Sequence, residues 1–470
     1  MKFMRQSFKA LGYMALSLSV LVVITLVALA AANWTDDPPS DIARQTLQDL
    51  VPTDAMLKTN GYLIIVGLTA PVDSGDPVSS AEALGRQYVA NIIEARDKAR
   101  KDPQNFDAIE ASATYNEKSE VPIFTFRCPR RSHDGCFSET QTHKDQVHTL
   151  LQTHSPLLVR YKAAANAPQF ISLPYDFFNP LPSYPQLISV HALLLAKAAL
   201  QWPLSPSEAL DTMEITSKLR ARMGKSANSL LEAMVVLEMQ SAELRWISQA
   251  MERTRASSPT SARIRQLILQ PGPDLHSALR GEQQFIAGML PFMSKKWEHN
   301  TWRANRYRDL SGFVSLPIAT MNASLENLAQ IQAMAHLHAN ALEAAFNRHN
   351  KVLADRYRCD LPIRLRNPVG TCMVAMNAAH YQSYFQRIHD MDGYRRLVML
   401  QHLAMAESVR AQDMEAWLQA SPAELRNPYT LQAMQWDAAT HSLAFDGKEP
   451  QRQNLEGSAT YRIALPQAAP

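Results

Sequence analysis

The sequence predicts a mainly α protein: an N-terminal transmembrane helix, then an array of antiparallel α-hairpins, loosely TPR-like, and a small C-terminal β-hairpin. Three observations predict it. One uncharged apolar run near the start is long enough to cross a bilayer. From about residue 141 apolar residues recur at helical spacing, with prolines punctuating the segments. Glycine is scarce, 15 in 470 residues, which argues against collagen-like and glycine-turn-rich β architectures. An apolar fraction of 46% rules out wholesale disorder. The single long apolar run rules out a polytopic membrane protein.

The chain divides into four segments by composition: 1–32, 33–140, 141–425 and 426–470. In the first, Ala10 to Asn33 carry no charge. Lys2, Arg5 and Lys9 precede the run with no acid, and Asp36 and Asp37 follow it. Positive charge stays cytoplasmic, so the N-terminus is expected inside and the remaining chain outside. Trp34 stands where an interfacial aromatic belongs. A cleaved signal peptide is the competing reading, because Ala28-Leu29-Ala30 and Ala30-Ala31-Ala32 both satisfy a small-x-small site. The run is longer than an ordinary signal core, which favours an uncleaved anchor. Three of the 47 basic residues lie in this leader and none of the 44 acids, so the remainder is balanced at 44 of each. A nucleic-acid binder carries a broad cationic face, and no nucleic acid is expected as a partner.

In the segment 33–140, Asp36-Asp37-Pro38-Pro39 is a stiff exit and Ser40 is a helix N-cap. The run 60–68, NGYLIIVGL, is strand or buried helix; its periodicity does not decide. Ser79 with Glu82 reads as a capping box for a helix that buries Leu84, Tyr88, Ile92, Ala95 and Ala99. Residues 103–140 read as irregular. The segment 141–425 reads as helices over 143–154, 156–166, 185–201, 206–222, 227–252, 260–270, 274–290, 318–349, 371–388, 393–408 and 412–419. Pro156, Pro185, Pro206, Pro273, Pro291 and Pro317 separate elements, since proline is tolerated only in a first turn. In the segment 426–470, two apolar runs around Asp437-Ala438-Ala439-Thr440 predict a hairpin, and residues 448–470 read as loosely held.

Chemical motifs fail one after another. Met223-Gly224-Lys225-Ser226 ends like a phosphate-binding loop, but Leu219 stands where its first glycine belongs. Gly224 reads as a helix C-terminal glycine. His336 and His338, two apart on one helix, point about 200° apart and cannot share an ion. His336 is expected exposed and His338 beside the core. Asp390-Met391-Asp392-Gly393 resembles a calcium-loop fragment, but the outer ligand positions fall on Ile388 and Met399. Gly393 reads instead as a helix break. No cofactor motif is present, and no Ser-His-Asp set can be assembled from sequence.

Four cysteines form two local pairs, Cys128 with Cys136 and Cys359 with Cys372. Export and an even count suggest disulfides, and local closure is favoured because both intervals contain proline and glycine. Zinc, with His133 inside the first loop, is the alternative; the cysteine spacings do not match zinc knuckles. Arg127, Arg130 and Arg131 crowd the first loop, and Arg356, Arg358, Arg364 and Arg366 the second. Brought together they would form an anion patch for lipid head groups, glycan phosphates or an acidic partner. The plainer reading is solvated arginines paired with surface acids.

The stretches NGYLIIVGLTAP (60–71), the Cys128/Cys136 loop, DLHSALRGEQQF (274–285), RNPVG (366–370) and the late run from GYRRLVMLQ (393–401) to Asp437 resemble an uncharacterised group of proteobacterial membrane-anchored periplasmic helical proteins. That resemblance implies a single-pass protein of the bacterial inner membrane with a periplasmic body. It implies no activity, and no site residue comes with it. The expected function is therefore a scaffold or interaction module, held in the inner membrane through residues 10–32 and offering its helices to an envelope protein partner. The alternative is a periplasmic hydrolase with a site assembled from separated side chains.

Overall fold

Cap and proline signals decide where most helices of this chain begin. The structure is a computed structural model. It describes residues 2–49, 52–71, 75–102, 126, 135–175, 181–253, 258–289, 315–357, 365–449 and 459–466. Helix α1 (Lys2–Ala32) contains a span, Leu11–Ala32, long and apolar enough to cross a membrane. In α2 (Asp41–Gln48) the Ser40 side chain accepts from Ala43 N–H, the expected cap. A single turn, α3 (Asp54–Leu57), leads to α4 (Gly61–Val66), which settles the undecided apolar run as helix, buried along its whole length. Glycine is required where α4 crosses α5 (Pro77–Lys101). A Cβ at Gly67 would lie 1.9 Å from Ala81 O, and one at Gly85 would lie 2.1 Å from Leu63 O.

Helix α5 begins earlier than its expected capping box. Asp76 is the N-cap, accepting from Ser79 N–H, and Pro77 fills the first turn. Proline needs no N–H partner there and presets the helical φ, so the start moves ahead of Ser79. Tyr88, Ile92, Ala95 and Ala99 are buried as expected, and Leu84 is half-buried. Helix α6 (Gly135–Thr142) corrects the end of the stretch read as irregular, where Phe137 is buried against Trp246 with ring centroids 5.3 Å apart; α7 (Lys144–Thr153) and α8 (Ser155–Asn166) follow. Then come α9 (Tyr184–Gln201), α10 (Pro206–Ser226), α11 (Leu230–Arg253), α12 (Ser258–Ile268) and α13 (Leu275–Gly288). Helix α9 packs on both α10 and α11. Trp202 and Trp246 meet edge to face there, and Trp246 Nε1 donates to Leu195 O at 3.0 Å.

Two further expected boundaries are corrected. The helix read over 318–349 is two, α14 (Pro317–Ala333) and α15 (Ala339–Arg356), with a 3-10 turn, Met334–His336, between them. His336 leaves the helix to stack on His276, ring centroids 5.1 Å apart. His338 becomes the extended N-cap of α15 and is exposed, not beside the core. Conversely, 371–388 and 393–408 are one helix, α16 (Pro368–Ala406). Gly393 does not break it; its missing Cβ makes room for the Phe445 ring, which one would approach to 2.4 Å. A short helix, α17 (Met414–Gln419), closes the helical part.

The hairpin is present and larger than expected. Strands β1 (Gln435–Asp437), β2 (Ser442–Asp446) and β3 (Thr460–Ala464) form an antiparallel sheet in the order β1-β2-β3. Residues read as loose thus include a strand whose Tyr461 and Ile463 point inward. Its alternation over five residues, TYRIA, is too short to stand out from polar surroundings. The largest core runs from Phe137 through α9, α11 and α12 to the second half of α16 and the sheet. A second joins α4 and α5 to α8, α9, α10 and α11. Apolar packing therefore crosses residue 140 and joins the sheet to the helices.

Candidate functional site

Where α1 leaves its apolar span, its next eight residues are bonded into the body. Asn33 lies at the end of the helix, where its side chain reaches two ways. Its amide nitrogen donates to Leu29 O at 2.8 Å and to Leu365 O, and its oxygen accepts from Asn367 N–H at 2.7 Å. Asp36 accepts from Ile318 and Ala319 N–H at 2.8 and 3.0 Å, capping the first turn of α14. Asn322 locks the following prolines, donating to Pro38 O at 2.9 Å and accepting from Ser40 N–H at 2.9 Å. Arg366 donates to Ala32 O at 3.0 Å and to Asp37. Asn367 itself has φ 49°, ψ 50°, a left-handed conformation that asparagine tolerates, and its side-chain oxygen accepts from Leu316 N–H at 2.8 Å. The N-termini of α14 and α16 are thus both completed by the residues that follow α1. The sequence signalled Asp36-Asp37-Pro38-Pro39 as stiff, but its partners lie too far along the chain to be read from it.

Two clusters of titratable groups lie inside the body. In the first, Tyr161 Oη and His191 Nδ1 share a hydrogen bond of 2.8 Å. Arg220 donates to Glu243 at 2.7 Å and to Pro271 O at 2.7 Å. All four residues are buried. Burial, and then the Arg220 charge, push His191 down to about 3, so its ring is neutral. His191 Nε2 stands 3.8 Å from Glu243, beyond hydrogen-bond reach, and the pair is not a salt bridge. Burial raises Glu243, and the Arg220 charge opposes it. This network ties α8, α9, α10 and α11 together and is closed to solvent.

The second cluster begins as a capping box that the sequence carried, Ser229 with Glu232, and that its reading missed. Ser229 Oγ accepts from Glu232 N–H at 3.1 Å, and Glu232 accepts from Asn228 N–H at 3.2 Å and from the Ser172 hydroxyl at 2.9 Å. From α13, Glu282 accepts from Leu230 N–H at 2.8 Å. Gly281 makes this approach fit, because a Cβ there would lie 1.4 Å from Asn228 O. Burial pushes Glu232 up to about 7 and raises Glu282. The same causes, burial and then Glu282, push the Tyr381 phenol up to about 12. Glu232 is buried, whereas Glu282, Tyr175 and Tyr381 are half-buried at the edge. Both carboxyls face a helix N-terminus, where the backbone favours negative charge. Their described bonds hold helix starts in place.

Of the residues singled out in sequence, Cys128, Cys359, Arg127, Arg130, Arg131, Arg358 and Arg364 lie outside the described residues, as does the side chain of Cys136. Cys372 is half-buried in the second turn of α16. Arg356 forms a two-pronged pair with Glu326 at 2.7 and 3.0 Å, and Arg366 pairs with Asp37. The two described arginines are thus each engaged with a carboxylate. Gly224, at the last turn of α10, accepts through its carbonyl from Asp274 N–H at 2.9 Å, serving a helix junction. Asp390 and Asp392 serve the C-terminal sheet and two arginines: Asp390 accepts from Lys448 and Glu449 N–H, and Asp392 pairs with Arg395 and Arg396. Among the described residues no three His, Cys, Asp or Glu cluster as a metal would require. No family model matches this chain, and neither a curated protein nor a solved structure matches it.

Proposed function

We propose that this protein is a single-pass scaffold of the bacterial inner membrane, with its N-terminus cytoplasmic and its helical body presented to an envelope partner in the periplasm. The observation that carries the reading is the junction at residues 33–40. Side chains of the exit cap helices whose sequence positions lie 282 to 334 residues away, so span and body form one unit. A flexible tether would serve a freely diffusing catalytic domain; a bonded junction serves a surface that must face one way. The buried Tyr161–His191–Glu243–Arg220 network supports the same reading, since a substrate cannot reach it. The positive flank of α1 and the acidic exit support the orientation. Pairing of Cys128 with Cys136 and of Cys359 with Cys372, a TPR-like arrangement of the hairpins, and membership of the proteobacterial group belong to this proposal.

A reporter active only in the periplasm, fused after Pro470, is expected to be active, and the mature chain is expected to retain residues 1–32 by intact mass. Non-reducing peptide mapping should return the two local cysteine pairs. The hydrolase reading rests on Glu282, the carboxyl of the second cluster that is not fully enclosed. Glu282→Gln keeps an acceptor for Leu230 N–H, so it should leave the fold intact. A hydrolytic activity present in the natural chain and lost in this variant would replace the scaffold reading.

A further inference from the structure

The first turns of α16 expose an apolar stripe beside the membrane exit. Leu365 is 41% exposed, Val369 44%, Met373 48% and Met376 63%. At 100° per residue Val369, Met373 and Met376 fall within about 60° of one another around the helix. The neighbouring positions Thr371 and Val374 are buried, so this is the outer face of the helix. Three large apolar side chains in line on an outer face are not scattered exposure; such a stripe marks a contact.

The junction says what the contact is. Leu11–Ala32 has 22 residues, about 33 Å of helix, against a hydrocarbon core of about 30 Å. Ala32 therefore stands at its outer edge. Arg366 donates to Ala32 O at 3.0 Å and Asn367 N–H donates to Asn33 at 2.7 Å. These bonds hold the start of α16 at the level of the lipid head groups, where Trp34 also stands exposed. An apolar stripe at that level has acyl chains within reach. Methionine suits such a place, because its flexible thioether fills an irregular surface.

We propose that Leu365, Val369, Met373 and Met376 form a foot that seats the body on the outer leaflet of the membrane, with the first turns of α16 running along the lipid surface. This rests on the reading of α1 as a membrane span. The foot and the span together fix the tilt of the body, which a single helix cannot do alone.

The test uses the full chain in vesicles of phosphatidylethanolamine and phosphatidylglycerol. A photoreactive benzophenone amino acid replaces Val369, Met373 or Met376 in turn, and lipid adducts are read by mass. Ile24, inside the span, is the positive control. Leu204, 88% exposed, is the negative one. Adducts there report the random capture of lipid by an exposed apolar position. Lipid adducts at 369, 373 and 376 several-fold above the Leu204 level are expected. Adducts to protein at these positions would overturn the foot in favour of a protein contact. Adduct at 369 alone would overturn it too, since α16 would then rise away from the surface. No lipid adduct at any of the three, with one at Ile24, would remove the foot and leave the anchor. No lipid adduct at Ile24 would remove the anchor itself.

Discussion

The first turn of α16 and its middle, around Asp390 and Gly393, use the same device and finish it differently. At the membrane end, Asn33, Asp36 and Asn367 receive backbone N–H groups of distant segments. In the middle, beside the sheet, Asp390 does so, accepting from Lys448 N–H at 2.9 Å and Glu449 N–H at 3.0 Å, and from the Tyr429 hydroxyl. There the work is completed: Asp390 is fully buried, Phe445 lies on Gly393, and Phe445 stacks on Tyr461 at 5.0 Å. At the first turn the polar joints are as complete, yet among the described residues Val369, Met373 and Met376 stay exposed. The middle of the helix is finished by its own chain. The first turn has polar bonds of protein and, in the proposed foot, an apolar face turned to lipid.

The largest way to break this comparison is Asp390→Ala. It leaves the Lys448 and Glu449 N–H groups without their acceptor and the Tyr429 phenol with Gln386 O alone, and should cost about 3 kcal/mol, read by urea unfolding in detergent followed by tryptophan fluorescence. A loss under ~1 kcal/mol would mean that the sheet is only loosely attached to α16.

The pH dependence sharpens the same point. Burial, against the bonds from Tyr429, Lys448 and Glu449, pushes Asp390 up to about 6 from 3.8. A carboxyl raised on folding contributes stability fully below 3.8, and that contribution is lost as pH climbs through about 6. Asp390→Asn should flatten this slope, a difference of about 3 kcal/mol across the window. Parallel curves for the two proteins would show that Asp390 keeps its ordinary titration.

At the membrane end, Asn367→Ala removes the acceptor for Leu316 N–H and puts a Cβ without local hydrogen bonding at φ 49°. A loss of about 2 kcal/mol is expected. Asn367→Gly relieves the φ and should recover part of it, so the difference between the two variants separates strain from bonding. The smallest effect belongs to Arg356→Ala. Its pair with Glu326 is about half-exposed, and removal should change stability by under ~1 kcal/mol.

Much of the helical frame was legible because its signals are local. Pro156, Pro185, Pro206 and Pro317 sit in first turns, and Ser40 caps α2 as read. The start of α5 at Asp76-Pro77 and the Ser229/Glu232 cap were local signals passed over, but where the larger readings failed the deciding partner was remote. Gly393 looked like a break until Phe445, fifty-two residues on, took up its missing side chain. The turn at Met334–His336 has neither proline nor glycine, and the His276 ring stacks on it from another helix. Strand β3 is recognisable only beside β2. The candidate site was less legible still. Asp36 and Asn33 look like ordinary polar residues after a span, and their roles depend on Ile318, Leu365 and Asn367.

The junction also sets an order of assembly. Asn33 is among the first residues to follow the span during synthesis, and Asn367 is made 334 residues later. At roughly 5–20 residues per second the bond cannot close for some tens of seconds. Until then the chain between them is an open loop pinned at one end, and α14 and α16 lack the groups that complete their first turns. Closing so long a loop costs entropy that grows only slowly with its length, so the delay is set by synthesis more than by search. The earlier helices, α4 through α12, make contacts with one another and can pack while this joint is still unmade.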